Sequence, residues 1–476
     1  KIKITFAIHI PKIYAFGAFH RDGGYFSLRA PGPKTMRQGK GKDFGIWKTY
    51  TWSEYYRHVR DFALGLASLG FGKGDKIGII GENQPPWYWG ELAAQALGGI
   101  CVGIFVDAVP KEIRYIVEHS DASVVMAHDQ EQVDKILEIR DGLPLLKKII
   151  YWDPKGLWFY DDPMLMSLEK VEELGREFDK AHPGYFEDAV ARGKAEDCAV
   201  ICYTSGTTGL PKGAMLSHNT LIETRKAWSE PDTCYEGDNY LSFLSPAWAT
   251  EQYLGVAGGF LSRFVTNFPE AAETVQENVR EIEPNVIFYG ARQWESINAM
   301  IHVKIASAKA LNRAIYNLFM PAAYRHMEAV MGGRTLLPWQ KGLYLLSELL
   351  VLKPLRNKLG LNRIRHAYTA GAAVSPDIIR FFQAVGINVK QLYGLSETGV
   401  NTCHRDGDVD ADDLSVFQAC LQGAARAAVE RHAQAVPART ALAIDAQAAQ
   451  RRCAEQELAR LELERASHHA PALEGA

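Results

Sequence analysis

Eleven residues, YTSGTTGLPKG from Tyr203 to Gly213, gather three glycines, four hydroxyl side chains and one lysine. Gly206, Gly209 and Gly213 let the backbone turn several N–H groups toward one point. The hydroxyls of Thr204, Ser205, Thr207 and Thr208 add donors, and Lys212 adds a positive charge on a flexible stem. The chemistry that uses all three together is the cradling of phosphate. The order is not that of the P-loop, in which lysine follows glycine and precedes Ser or Thr; here Pro211 precedes Lys212 and Gly213 follows it. It is not the dinucleotide fingerprint G-x-G-x-x-G either. A turn without a ligand would account for a fragment such as GTTG, but not for the full eleven residues.

Such a loop needs a rigid support. CAVICY (Cys198 to Tyr203) is an apolar run that leads straight into it and reads as a strand, with Cys198 and Cys202 as core residues rather than a metal pair. Upstream, TWSEYYRHVRDFALGLASLG opens on a capping box, Thr51 and Glu54. It carries Val59, Phe62 and Leu66 at helical spacing and stops at Gly70. DKIGIIG, ICVGIF, ASVVMA, KKIIYW, NVIFYG and IRHAYT read as further strands, with PPWYWGELAAQALGG and KEIRYIVEHS as helices between them. Continuous apolar strands alternating with helices predict buried, mainly parallel sheets. Residues 303–358 read as helical throughout, and within them GLYLLSELLVL (Gly342 to Leu352) reads as a buried helix, with a helix lying on a membrane as the alternative.

The 476 residues suffice for two or three domains, and 47% apolar with 23% charged residues is ordinary for a globular chain. A net charge of -3 gives no reason to expect nucleic-acid binding. Seven scattered cysteines do not form a disulfide framework. No run reaches the roughly 18 apolar residues of a membrane span. The chain begins at Lys1 rather than Met, and KIKITFAIHIPK lacks the cleavage pattern of a signal peptide.

YTSGTTGLPKGAMLSHNTL resembles the signature loop of the AMP-forming, adenylate-forming enzymes. AYTAGAAVSP (Ala367 to Pro376) and QLYGLSETG (Gln391 to Gly399) resemble two further signatures, in the family's order. The segment from Tyr50 to Phe105, together with YLSFLSPAWATEQ and the helical insert, is most similar to the long-chain fatty acyl-CoA synthetase branch. The resemblance implies an α/β fold of doubly wound, mixed or parallel sheets, here an incomplete adenylate-forming large domain over residues 45–400. It is flanked by an unassigned segment, 1–44, and by a mainly helical tail, 401–476. The implied reaction joins a fatty acid to ATP with release of pyrophosphate and then passes the acyl group to coenzyme A, with Mg²⁺ as cofactor. The loop Thr204–Lys212 would hold the β- and γ-phosphates. Ser396, at a position where many relatives have Thr, would bind the α-phosphate and Glu397 would hold Mg²⁺. Tyr393 would lie against adenine, with Gly371, Ala372 and Ala373 bordering its other face. Lys212, Ser396 and Glu397 would thus carry the adenylation. Trp248 would gate the acyl tunnel; a packed core tryptophan is the other reading. Glu251 matches an acidic residue of the family without a defined role. A cytoplasmic setting with peripheral association to a membrane fits lipid substrates, and no motif speaks to oligomeric state.

The family pattern ends near Gly399. The Thr-Gly-Asp segment that binds ribose, the hinge and the small domain with its lysine are not found, and EGD at Glu236–Asp238 is out of context. Turnover could therefore be lost, leaving a nucleotide-binding remnant. Beyond residue 400 tyrosine and tryptophan vanish and alanine and arginine dominate, as expected of a fused or misread sequence or of a divergent module. CHRDGDVDADDL resembles one calcium loop of a dockerin or EF-hand, with Asp406, Gly407, Asp410 and Asp413 in register but Thr402 and His404 at ligand positions. An acidic solvated turn is the simpler reading, and a calcium-linked interaction module the alternative.

Overall fold

A computed structural model describes residues 37–43, 45–204, 210–229, 232–396 and 399–403. In chain order its strands are β1 (Arg37–Asp43), β2 (Ile46–Thr51), β3 (Lys76–Ile80), β4 (Ile100–Ile104), β5 (Ala122–Ala127), β6 (Lys148–Tyr151), β7 (Leu165–Ser167) and β8 (Cys198–Thr204). They continue with β9 (Lys212–Ser217), β10 (Asn239–Leu241), β11 (Val265–Phe268), β12 (Val286–Phe288), β13 (His366–Thr369), β14 (Val389–Leu395) and β15 (Gly399–Cys403). The described chain divides into two units. The first holds the residues up to Phe288 with Lys353–Tyr368 and Gly394–Cys403, and the second holds Tyr289–Leu352 and Thr369–Tyr393.

The first unit contains a seven-stranded sheet in the order β7-β6-β5-β3-β4-β8-β9. All its neighbours are parallel except the antiparallel β8–β9 pair that ends it. Its central strands read as apolar runs because both their faces are covered: ASVVMA is buried at every position. Ile80, Val102, Val125, Ile149 and Ile201 lie in one core with Ile113 and Ile116 from the helix Pro110–Ser120. Burial of each such side chain stabilises the fold by roughly 1.5–3 kcal/mol. In the same unit β13, β12, β10, β11 and β1 lie side by side with parallel pairing, and β2 closes that edge antiparallel to β1. Among the described residues, the strands and helices expected between Thr51 and Thr369 are present, including the capping box, in which Thr51 Oγ1 accepts from the Glu54 backbone N–H and the Glu54 carboxylate accepts from the Thr51 N–H.

The helix Trp52–Ser68 lies along the helix Leu168–Ala181. Its His58 ring stacks on Trp89 at 3.9 Å and meets the Glu172 carboxylate at 2.7 Å. Arg60 donates to Asp179 at 2.6 Å, and Arg176 donates to Asp61 at 3.2 Å. The two backbones touch at the crossing: a Cβ on Gly175 would collide with the Asp61 carbonyl, and one on Gly65 with the Val171 carbonyl.

The second unit contains helices Ala291–Ala306, Ala310–Met331, Pro338–Ser347 and Pro376–Ala384, and within it residues 303–352 are mainly helical, as expected. Trp294 is fully buried, edge-on to Tyr289 at 5.2 Å and to Phe382 at 4.8 Å. One expectation is corrected here. GLYLLSELLVL is helical, but it is not buried as a whole: Leu345, Leu346, Leu349 and Leu350 face solvent, Ser347, Val351 and Leu352 are buried, and Leu343, Tyr344 and Glu348 are half-buried. Apolar spacing reports a helix but not whether a second layer lies on each of its faces. Residues 1–36, the calcium-like loop and the rest of the tail lie outside the described residues.

Because backbone rather than a yielding side chain meets Gly175, we expect Gly175→Ala to lower the unfolding free energy by roughly 1–3 kcal/mol. A denaturant midpoint equal to that of the unsubstituted chain would show that the helices can part at no cost.

Candidate functional site

β8 is buried from Ala199 to Tyr203 and emerges at Thr204. The chain returns as β9 with Thr204 opposite Lys212 and Tyr203 opposite Gly213, so the phosphate-type loop is closed at its base by a strand pair. Ser205, Gly206, Thr207, Thr208 and Gly209 lie outside the described residues. Lys212 is exposed. Gly213 has no room for a Cβ, which would approach Ile201 Cγ2 to 2.6 Å.

The base of this hairpin is fixed from the helix Pro110–Ser120. The Tyr115 hydroxyl donates to the Pro211 carbonyl at 3.0 Å, and His119 Nδ1 lies 2.8 Å from the Tyr203 hydroxyl. The Tyr115 and His119 rings stack at 5.2 Å, and both meet the Tyr203 ring edge-on. Burial pushes the Tyr203 phenol up to about 12, so it stays neutral. The outcome is a stiff stem presenting one hydroxyl and one ammonium at its mouth, an arrangement suited to holding a polyanion.

Trp248 stands beside that stem. Its turn packs on β4, where a Cβ on Gly103 would press into Ala247; Gly103 pairs with Cys202, two residues before Thr204. The Trp248 side chain is 44% exposed, which sets aside the reading of a packed core tryptophan. The chain then forms a short helix, Ala249–Glu251, and a π-helical segment, Gln252–Ala257, in which every residue is buried. Two buried carboxylates hold this segment. Glu251 accepts from the Tyr88 hydroxyl at 2.7 Å, from Ser242 at 2.5 Å and from Tyr240 at 2.5 Å. Burial drives its carboxyl above the usual range, and these hydroxyl donors oppose the rise. Gly255 leaves room for the cluster, since a Cβ there would overlap Glu251 Oε1 and the Tyr88 hydroxyl.

Glu91, fully buried on the helix Pro85–Ala96, accepts from Gln95 at 2.9 Å and from Gln252 at 3.0 Å. Gln252 also donates to the Pro246 carbonyl at 2.8 Å, and Gln95 to the Ala199 carbonyl of β8 at 3.3 Å. Tyr253 donates to the Ser396 carbonyl at 3.2 Å, which brings Ser396 of QLYGLSETG to the same segment. Gly399, with φ of +73°, fits against Thr224 of the helix His218–Ser229 that follows β9.

The first unit thus brings Thr204, Lys212, Trp248 and Ser396 to connected backbone. Sequence reading missed Glu91, Tyr88, Tyr240 and Gln252, which hold it. Their only early signal was a charged or amide residue inside an otherwise apolar helix, as in GELAAQA. In the second unit Gly371 has φ of +85°, and Gly371, Ala372 and Ala373 are exposed with open space at the glycine. Tyr393 on β14 is half-buried, and burial raises its phenol. Glu397 lies outside the described residues. Among the described residues no group of three His, Cys, Asp or Glu side chains could hold a metal ion; Mg²⁺ on a nucleotide needs only one or two carboxylates besides phosphate oxygens.

Burial raises the Glu91 carboxyl from 4.5 to about 7, with the two amide hydrogen bonds opposing it. The fold therefore holds this proton more tightly than the unfolded chain does. That stabilisation is complete below pH about 4.5 and is lost as pH rises through about 7, a change on the order of 3 kcal/mol. Glu91→Gln, which removes the titration, should become more stable relative to the unsubstituted chain as pH climbs through this window. Parallel stability profiles against pH would contradict the assignment.

A family model described as AMP-binding enzyme matches residues 34–425. Long-chain-fatty-acid–CoA ligase ACSBG2 of Xenopus laevis is 27% identical over 359 residues, which is 74% of this chain and 48% of the relative. Long-chain-fatty-acid–CoA ligase heimdall of Drosophila melanogaster is 28% identical over 390 residues, 80% of this chain and 56% of the relative. The chain spans about half the length of the curated relatives it matches. Among solved structures, the anthranilate CoA ligase AuaEII with anthranoyl-AMP superposes with a TM-score of 0.59 at 18% identity, covering 86% of this chain and 64% of that one. A luciferase-like enzyme from the mealworm Zophobas morio gives a TM-score of 0.54 at 18% identity, covering 79% and 72%. The fold is therefore that of the adenylate-forming enzymes, and the chain belongs to the AMP-binding enzyme family.

Proposed function

We propose that this chain carries the nucleotide-binding and acyl-binding parts of an AMP-forming acid–thiol ligase that acts on long-chain fatty acids. The observation that carries the proposal is the β8–β9 stem, which sets Thr204 opposite Lys212 beside the turn of Trp248. The names of the relatives support the choice of a fatty acid and of coenzyme A as substrates.

In this reading a fatty-acid carboxylate oxygen attacks the α-phosphorus of ATP. The bond to the bridging oxygen breaks, and pyrophosphate leaves with the electron pair. Negative charge grows on the transferring phosphoryl group and on the leaving pyrophosphate, so fixed donors and cations stabilise the transition state more than the ground state. Lys212 and the hydroxyls of residues 204–208 answer the charge on the β- and γ-phosphates. Ser396 serves the α-phosphate, and Glu397 is the carboxylate that would hold Mg²⁺, which supplies further neutralisation when bound. Tyr393 and the backbone of Gly371–Ala373 would receive adenine. The coenzyme A thiolate then attacks the acyl-adenylate carbonyl and AMP departs. Trp248, which is exposed at its turn, would line the entry of the acyl chain in this reading. A cytoplasmic location with peripheral attachment to membranes belongs to the same proposal, since the acyl substrate partitions into lipid.

The test is palmitate-dependent release of pyrophosphate from Mg·ATP by the full chain. Release is expected, and Lys212→Ala should lower it by roughly 10²-fold, the usual effect of losing one transition-state donor. Equal rates in the two proteins would remove Lys212 from the chemistry. No release in either, together with a calorimetric heat of Mg·ATP binding, would replace the ligase reading with nucleotide binding without turnover.

A further inference from the structure

We infer that the helical segment from Val303 to Leu352 is a docking surface for an anionic lipid membrane. The helix Pro338–Ser347 continues into the π-helical turn Glu348–Leu352, and one side of it is committed to protein. Ser347 donates to the Phe319 carbonyl at 3.1 Å, and Tyr344 stacks on His326 at 3.6 Å. The other side carries Trp339, Leu345, Leu346, Leu349 and Leu350 at spacings of one helical face. These are 61%, 65%, 48%, 64% and 46% exposed. On the neighbouring helix Ala310–Met331, Leu311 and Leu318 are likewise exposed.

Charge decides the occupant. Residues 303–352 hold six basic side chains, Lys304, Lys309, Arg313, Arg325, Arg334 and Lys341, against Glu328 and Glu348, in a chain whose net charge is -3. All six are exposed, and Glu328 is engaged by Arg380 at 3.0 Å. By helical spacing Lys341 falls in line with Leu345 and Leu349, and Arg325 with Leu318 and Leu311. Exposed leucines with a tryptophan and flanking cations are the composition of a helix that lies in a lipid interface, with aromatic and aliphatic groups among the acyl chains and cations at the headgroups. No helix among the described residues is long and apolar enough to cross a membrane, so the contact is with its surface. A second copy of the chain seated here about a two-fold axis would set these same cations against each other, which favours lipid over self-association.

The test is co-sedimentation of the full chain with phosphatidylserine-containing vesicles and with phosphatidylcholine vesicles. The chain should pellet with the first far more than with the second, and added salt should release it. Leu345→Glu with Leu349→Glu should abolish binding; both side chains face solvent, so the fold should survive, which circular dichroism will show. Arg334→Gln with Lys341→Gln should weaken binding roughly thirtyfold, about fivefold for each cation removed from an anionic surface. A chain that stays in the supernatant with anionic vesicles overturns the inference. So does binding that the leucine variant retains, or a chain that is dimeric without lipid and becomes monomeric in that variant, which would make a second copy the occupant. Binding requires neither ATP nor fatty acid, so the result is independent of the ligase test.

Discussion

A carboxyl group with no exposed surface is costly unless its oxygens are hydrogen-bonded, and Glu251 meets that condition through donors from separate elements of the chain. Tyr88 comes from the helix Pro85–Ala96, Tyr240 from β10 and Ser242 from just beyond it. These donors can converge only if the π-helical segment is seated between them. Once it is seated, its other residues are placed. Gln252 reaches Glu91, Trp248 is carried to the ends of β4 and β8, and Tyr253 reaches Ser396. The geometry of the candidate site depends on this buried carboxyl group and the donors around it.

The second constraint is close approach of backbone. Gly103 admits the Trp248 turn to β4, Gly175 and Gly65 let two helices touch, and Gly399 fits against Thr224. In each place a side chain would push apart the elements that carry the functional groups. The phosphate-type loop is thus mounted on a platform held at several points, at the carboxyl end of a parallel strand, where open α/β sheets bind their ligands.

The two ionisable residues that hold the Trp248 segment differ in what they offer. Glu251 is surrounded by hydroxyls that stay neutral, since burial raises both tyrosine phenols well above their usual range. Glu91 has only amide donors and takes up its proton near neutrality. Placing a titrating group in this framework couples the stability of the Trp248 turn to pH without any contact to substrate.

The sheets were legible in the sequence because strands buried on both faces must be apolar throughout, as in ASVVMA and CAVICY, and because helices between them carry their own caps. The loop stood out in the sequence because a phosphate cradle would need glycine, hydroxyl and cation within a few residues. Such local demands are written locally. Glu91 and Glu251 were not legible as structural anchors, since an isolated glutamate in a helix has the composition of a solvated one, and its burial is decided by Tyr88, Tyr240 and Gln252 arriving from elsewhere. Nor could the spacing in GLYLLSELLVL tell a covered helix from a bare one. The sequence by itself determined the elements and their mainly parallel pairing, because each follows from neighbouring residues. Tertiary structure alone decided which charges are buried and which leucines face solvent, because solvation is a property of what packs on a residue and not of the residue.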